Sequence, residues 1–409
     1  MKIKIPYAGD KVDVDIDDDR VNEVLYPNEV EKRDGAEVIL EALKKPLDKS
    51  RFSEFVEDGT MFVVNDATRP TPTARVLKLM KDEIYDHETE FIVATGSHRE
   101  PTKEEYEQIF GELYEDSEQP IYYHDSKDDE MVDHGKTKRG TPVKYNRRVC
   151  EADKVVTINT VEPHYFAGFT GGRKSFLPGV ASYETITANH EFALEEKART
   201  LKLKENPVHE DMTDAFNKYE GDVFALNMTL DKDGDVYSAT AGDMEKSFIK
   251  EVEVSKEIFG VSIDQKSEVV VTAAHPIDVN LYQSHKALEN GKLALKEGGI
   301  IILVSACPEG IGPKNFYDLM ASLDDPESVM GKIEEGYKLG YHKAAKMVEV
   351  CRNSSMWCVS ELDEEVTENA FIESKDNVQT AVDEALAKTA GKVTFILEGG
   401  TVVPIWEKG

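Results

Sequence analysis

Four short stretches of this 409-residue chain carry side chains able to do chemistry. In residues 66–72 (DATRPTP), Asp66 and Thr68 offer oxygens to a ligand or a neighbouring side chain. Arg69 offers a planar fork suited to a carboxylate or phosphate, and the prolines stiffen the loop. In residues 94–99 (ATGSHR), a glycine permits a sharp turn and His98 follows it. Residues 164–190 hold His164, the Gly171–Gly172 pair, Lys174 and His190. Backbone N–H groups at Gly171 and Gly172 are expected to stand open to an anion. In residues 278–286 (DVNLYQSHK), Gln283 and Lys286 are three apart and Tyr282 and Lys286 four apart, so a helix would set them on one face. That helix start, with a lysine and an amide donor, suits a carboxylate. Taken singly, each stretch has a plainer alternative: a rigid turn capped by Asp66, a surface histidine, a glycine-rich turn, a solvated helix start. The plainer alternative for the third leaves two histidines and a lysine unexplained.

The elements that must position these residues follow from the apolar runs. Residues 61–65 (MFVVN), 90–95 (EFIVAT) and 154–159 (KVVTIN) are short runs of buried-strand type, and the first three chemical stretches come after them. Strands alternating with helices predict an α/β fold with mainly parallel sheets flanked by helices, in which ligands sit at the carboxyl ends of strands. A helix is expected over 28–46. Near residue 263 the pattern restarts, with strands at 268–274 and 299–304 around a helix at 280–297. The domain expectation is therefore 1–262 and 263–391. The last apolar run, 392–397, fits either domain.

Bulk composition narrows the function. Lys and Arg total 49 against 80 for Asp and Glu, a net charge of −31, which argues against nucleic acid or an anionic membrane surface as a partner. No stretch approaches the length of a membrane span. Cys150, Cys307, Cys351 and Cys358 show no zinc-type spacing, and their low number suits a reducing cytoplasm. The glycines before Lys174 do not make a phosphate-binding P-loop, because Arg173 stands where that motif needs glycine. A dinucleotide fingerprint and a serine-hydrolase elbow are missing too.

Read together, D-x-T-R-P-T-P, G-x-H-R, a histidine with lysine ten residues on and another histidine sixteen beyond that, then Y-Q-x-x-K, resemble the lactate racemase family. The resemblance implies a two-domain enzyme with its site in the interdomain cleft, and it places residues 392–409 with the first domain. It implies a nickel-pincer nucleotide, a pyridinium-3,5-bisthiocarboxylic acid mononucleotide holding Ni, tethered at Lys174 with His190 as nickel ligand. By motif position His98 and His164 are the acid/base pair, and Arg69, Tyr282, Gln283 and Lys286 bind substrate. Asp66, Thr68, Gly171, Gly172 and Trp357 are expected at or near the cofactor, and Phe166, Tyr282 and Trp357 are the aromatic candidates for lining the pocket, with a core position the equal alternative for Trp357 between Met356 and Cys358. The implied reaction is racemisation or epimerisation of a small 2-hydroxy acid by reversible hydride transfer from Cα through a transient 2-keto acid. Two histidines would serve the two enantiomers. Partners would be that substrate and the enzymes that make the cofactor, and a homo-oligomer is compatible with the reading. Alternatives are an epimerase of a larger hydroxy acid, a malate-like diacid racemase, and a carrier that binds the cofactor without turnover.

Overall fold

The computed structural model describes residues 1–116, 119–275 and 277–406. Twelve strands build the two large sheets: β1 (Val21–Leu25), β2 (Thr60–Asn65), β3 (Glu90–Ala94), β4 (Ile121–Tyr123), β5 (Lys154–Thr160), β6 (Asp222–Leu230), β7 (Val236–Gly242), β8 (Ser267–Ala273), β9 (Leu295–Val304), β10 (Ser355–Val359), β11 (Glu373–Ser374) and β12 (Val393–Ile396). Four helices matter below: α1 (Gly35–Lys44), α2 (Tyr183–Glu191), α3 (Leu281–Gly291) and α4 (Tyr341–Asn353).

One compact unit comprises residues 29–162 and 166–258. Its sheet runs β7-β6-β5-β2-β3-β4, parallel except for the antiparallel β6–β7 pair. The central strands are buried on both faces, which is why they read as unbroken apolar runs. Phe52, Phe62, Phe91, Phe110 and Phe224 interlock on one face, each at most 2% exposed, and each contributes roughly 2–3 kcal/mol of burial. Helix α1 starts later than the sequence pattern predicts because Asp34 caps it, accepting from the amides of Ala36 and Glu37.

The other unit comprises residues 1–28, 163–165 and 259–409. Its sheet, β11-β10-β9-β8-β12-β1, is parallel throughout. A hairpin of residues 2–7 and 10–15 adds Ile3, Ile5 and Val14 to its core. The break at Phe259 lies close to the expected boundary, but two segments fall elsewhere than the sequence reading put them. Residues 1–28 leave the first domain, and the last apolar run does too, since β12 pairs with both β8 and β1 and buries Val393 and Phe395 with Val269 and Val271. An apolar run of four to six residues satisfies any buried strand slot, so its partner is not written in it.

Candidate active site

In the 29–258 unit, three adjacent strands carry an asparagine at or before their carboxyl ends: Asn65 closes β2, Asn159 is one residue short of the end of β5 and Asn227 three residues short of the end of β6. The register pairing Ala225–Thr157 and Val64–Ile158 sets Asn65 (β2), Asn159 (β5) and Asn227 (β6) level across the sheet's carboxyl edge. Each anchors a loop. Asn65 Oδ1 accepts from Thr71 Oγ1 (2.8 Å), Asn159 Oδ1 from Ser175 Oγ (2.8 Å) and Asn227 Oδ1 from the Gly172 amide (2.9 Å). Sequence reasoning missed this row, because Asn227 lies inside its apolar run and only the strand register brings it level with the other two.

On this edge the loops after β2 and β3 meet. His98 Nδ1 donates to Asp66 Oδ2 at 2.6 Å, while Thr68 Oγ1 (2.6 Å) and the Thr68 amide (3.1 Å) donate to Asp66 Oδ1. Burial pushes the Asp66 carboxyl up, but the His98 hydrogen bond and charge, then Arg69 and Thr68, outweigh it and bring it down to about 2. A carboxylate fixed on Nδ1 leaves His98 Nε2 as the nitrogen available for proton transfer.

The glycine-rich loop holds Lys174 and His190 around one aromatic ring. Lys174 Nζ lies 5.8 Å from the Phe166 ring centre, and the His190 ring, in the last turn of α2, stands edge-on to Phe166 at 5.2 Å. Burial, then the Lys174 charge, pushes His190 down to about 3, so it is a neutral imidazole at ordinary pH. Arg173, 3% exposed, braces the loop: its guanidinium donates to the carbonyls of Ala167 (3.0 Å), Phe169 (3.2 Å) and Gly171 (3.2 Å) and lies over Phe248.

The expected anion nest is not built as the sequence suggested. Gly172 gives its amide to Asn227, so that N–H is engaged inside the protein. The two glycines are needed for space and backbone: φ is +79° and +54°, and a Cβ would come within 2.7 Å of Val161 at Gly171 and 2.8 Å of Phe248 at Gly172.

The remaining predicted residues belong to the other unit. His164 is buried and stacked on Tyr165, with ring centres 5.1 Å apart. Helix α3 starts where expected but ends at Gly291, short of residue 297, because β9 already begins at Leu295; it brings Tyr282, Gln283 and Lys286, all half-buried, onto its first turns. Its leading amides are satisfied internally: Leu281 N donates to the Gly310 carbonyl, Tyr282 N to the Ile311 carbonyl and Gln283 N to Asn280 Oδ1. A carboxylate here would therefore meet side chains rather than helix amides. Lys343 of α4, not singled out from sequence, donates from Nζ to the Tyr282 carbonyl.

Trp357 is a core residue, contrary to its expected place at the cofactor. It lies on β10, paired in register with Ile302, is 1% exposed, and packs in the apolar cluster with Lys375 and Lys388 over its ring.

Among the described residues there is no group of three or more His, Cys, Asp or Glu that could hold a metal, and no helix is long and apolar enough to cross a membrane.

Comparison with known proteins agrees with this architecture. Residues 7–201 match the family model of the lactate racemase N-terminal domain and residues 263–404 that of the lactate racemase C-terminal domain. A lactate racemase of Thermoanaerobacterium thermosaccharolyticum is 36% identical over 81% of this chain and 80% of its own length. One from Lactiplantibacillus plantarum is 31% identical over 98% of this chain and 99% of its own. The solved lactate racemase apoprotein from T. thermosaccharolyticum superposes with a TM-score of 0.91 at 31% identity, covering 99% of this chain and 100% of that one. A Thermotoga maritima protein shares the fold alone, at a TM-score of 0.72 and 18% identity over 91% of this chain and 98% of that one. The chain belongs to the lactate racemase family and is a racemase, an enzyme of the isomerase class.

Proposed function

We propose that this racemase interconverts the enantiomers of a small, lactate-like 2-hydroxy acid with the help of a nickel-pincer nucleotide. The observation that carries the reading is the Asp66–His98 pair at 2.6 Å, built on the ends of adjacent strands in a chain of this family.

The residues around Phe166 fit the cofactor. His190 is kept neutral, the form a metal requires of imidazole, and Lys174 supplies an amine beside the same ring. With no ready-made cluster of protein ligands among the described residues, a metal at His190 would take its other donors from a bound organic group, which is what a pincer offers. When bound, that group supplies a reversible hydride acceptor, allowing the substrate carbinol to pass through a planar 2-keto acid.

The protein's part is proton transfer and orientation. His98, with its tautomer set by Asp66, takes the hydroxyl proton at Nε2 from one enantiomer and returns it. His164 does the same for the other. Arg69, Gln283 and Lys286 hold the carboxylate through forked and single N–H donors while the planar keto acid exposes its second face.

The test is elemental analysis of nickel per chain in protein made alongside the cofactor-synthesis enzymes, followed by a chiral assay on lactate. Nickel near one per chain with lactate inverted is expected. Nickel near zero, beside a control racemase that loads normally, would remove the pincer. A loaded chain that inverts no 2-hydroxy acid would leave a carrier.

A further inference from the structure

The proposed cofactor tether and the proposed proton-transfer turn lie on separate loops of the 29–258 unit, and one buried glycine bonds to the backbone of both. Gly179 donates its amide to the Lys174 carbonyl (3.0 Å), and its own carbonyl accepts from the Gly96 amide (3.0 Å). Gly96 lies inside the turn after β3 that the His98 amide closes on the Thr95 carbonyl (2.9 Å). Two hydrogen bonds through a single residue thus join the backbone of Lys174 to the turn of His98.

No side chain fits between these segments. A Cβ at Gly179 would run into the Ser175 carbonyl oxygen and come within 2.9 Å of the Lys174 carbonyl oxygen. At Gly96, where φ is +59°, it would meet Pro178 Cβ at 3.4 Å. Both glycines are buried, so breaking either bond would leave backbone polar groups without water to replace it. Each loop is also anchored away from this junction. Ser175 Oγ ties the Lys174 side to Asn159 on β5, and Asp66, just past β2, holds the His98 ring at Nδ1. With those sides fixed to strands, the spacing of the two loops is set where Gly179 meets them.

That spacing bears directly on the chemistry. A carbinol oxidised to a ketone loses hydrogen from a carbon and from the oxygen bonded to it. The group anchored at Lys174 and the Nε2 of His98 therefore have to meet adjacent atoms of one substrate. A misplacement of about 1 Å in such a pairing costs on the order of 100-fold. We propose that Gly179 is a positioning residue, which through its two backbone hydrogen bonds fixes the level of the Lys174 tether against the turn that presents His98. This rests on the racemase reading above and adds to it a residue with no side chain of its own.

The experiment uses the full chain and three variants. Gly179→Ala and Gly96→Ala break the junction from its two ends, and Gly96→Ala keeps the test open if Gly179→Ala does not fold. Gly59→Ala is the control, a glycine at φ +82° with nothing within 4 Å of an added Cβ. Amide hydrogen exchange on the unloaded chains reads the junction without turnover. Either junction variant should speed exchange about 10-fold in both the 94–99 and the 172–179 segments, and Gly59→Ala in neither. Faster exchange confined to the substituted loop overturns the junction. On nickel-loaded protein, rapid quench measures 2-keto acid formed in one turnover from each lactate enantiomer. Gly96→Ala should keep nickel near one per chain and slow the enantiomer served by His98 about 30-fold, with the other within about 3-fold. Equal slowing of both enantiomers in folded, loaded Gly96→Ala overturns the positioning role and leaves the racemase reading standing. An unaltered, loaded chain that oxidises neither enantiomer overturns the racemase reading and this role with it.

Discussion

The loops at the carboxyl edge of the β2–β5–β6 strands and the α3–α4 layer both immobilise charged groups, by opposite means. At the sheet edge, Asp66, Thr68, His98, Gly172 and Ser175 are fixed by short side-chain and backbone hydrogen bonds to strand-end partners. In the helical layer, Lys343 is fixed by a carbonyl and aromatic faces. Hydrogen-bonded fixing sets tautomer and direction, which proton transfer needs. Ring-face fixing sets the position of an ammonium without imposing a single direction on its donors. The first kind of region should therefore fail in kcat when altered and the second in KM.

The largest break in that comparison is expected at the loop around Phe166. Lys174→Ala should drop nickel from about one per chain to background and activity by about 1,000-fold or more, read by elemental analysis beside a chiral assay. Asp66→Asn comes next. It should retain nickel and substrate KM while lowering kcat about 100-fold, because the His98 tautomer is no longer imposed; an unchanged kcat would detach Asp66 from proton transfer. Trp357→Ala is a contrast in the opposite sense. It should cost about 3–5 kcal/mol in denaturant unfolding and leave kcat per folded, loaded molecule unaltered, as befits a core residue.

A last effect, on stability and not on turnover, concerns acid. Burial pushes His190 and His209 down to about 3, helped by Lys174 and Arg173 respectively, and lowers His124 and His285 as well. Below the ordinary histidine value of 6.5 the unfolded chain takes up protons that the native protein refuses. Stability is thus fully present above that pH and is lost as pH falls toward 3, at up to about 1.4 kcal/mol per pH unit for each such histidine. Thermal melts between pH 7 and 5 check this, and a flat profile would contradict the burial of these rings.

Much of this was legible in the chain, and the exceptions have physical causes. Strands β2, β3 and β5 announce themselves because a doubly covered parallel sheet demands unbroken apolar runs. The chemical residues announce themselves because they follow those runs. Trp357 was misplaced because an aromatic residue between Met356 and Cys358 looks the same whether it lines a pocket or fills a core. Gly172 was read as an amide donor because sequence cannot show that Asn227, 55 residues on, already accepts that hydrogen. Helix α4 was passed over because its buried face carries Lys343 and Lys346, which no apolar periodicity reveals. The level row of Asn65, Asn159 and Asn227 needed strand register, a long-range property.

The order of strands β8-β12-β1 has a consequence for biosynthesis. β1 leaves the ribosome well before its neighbour in the sheet, β12, which lies about 370 residues further on. At ordinary translation speeds of roughly 5–20 residues per second, β1 waits on the order of 20–70 s with its bonding edge open. The 29–258 unit, by contrast, has its whole sheet available well before β12 is made. The nascent chain thus has the whole 29–258 sheet in hand before the strand that covers the edge of β1 is made.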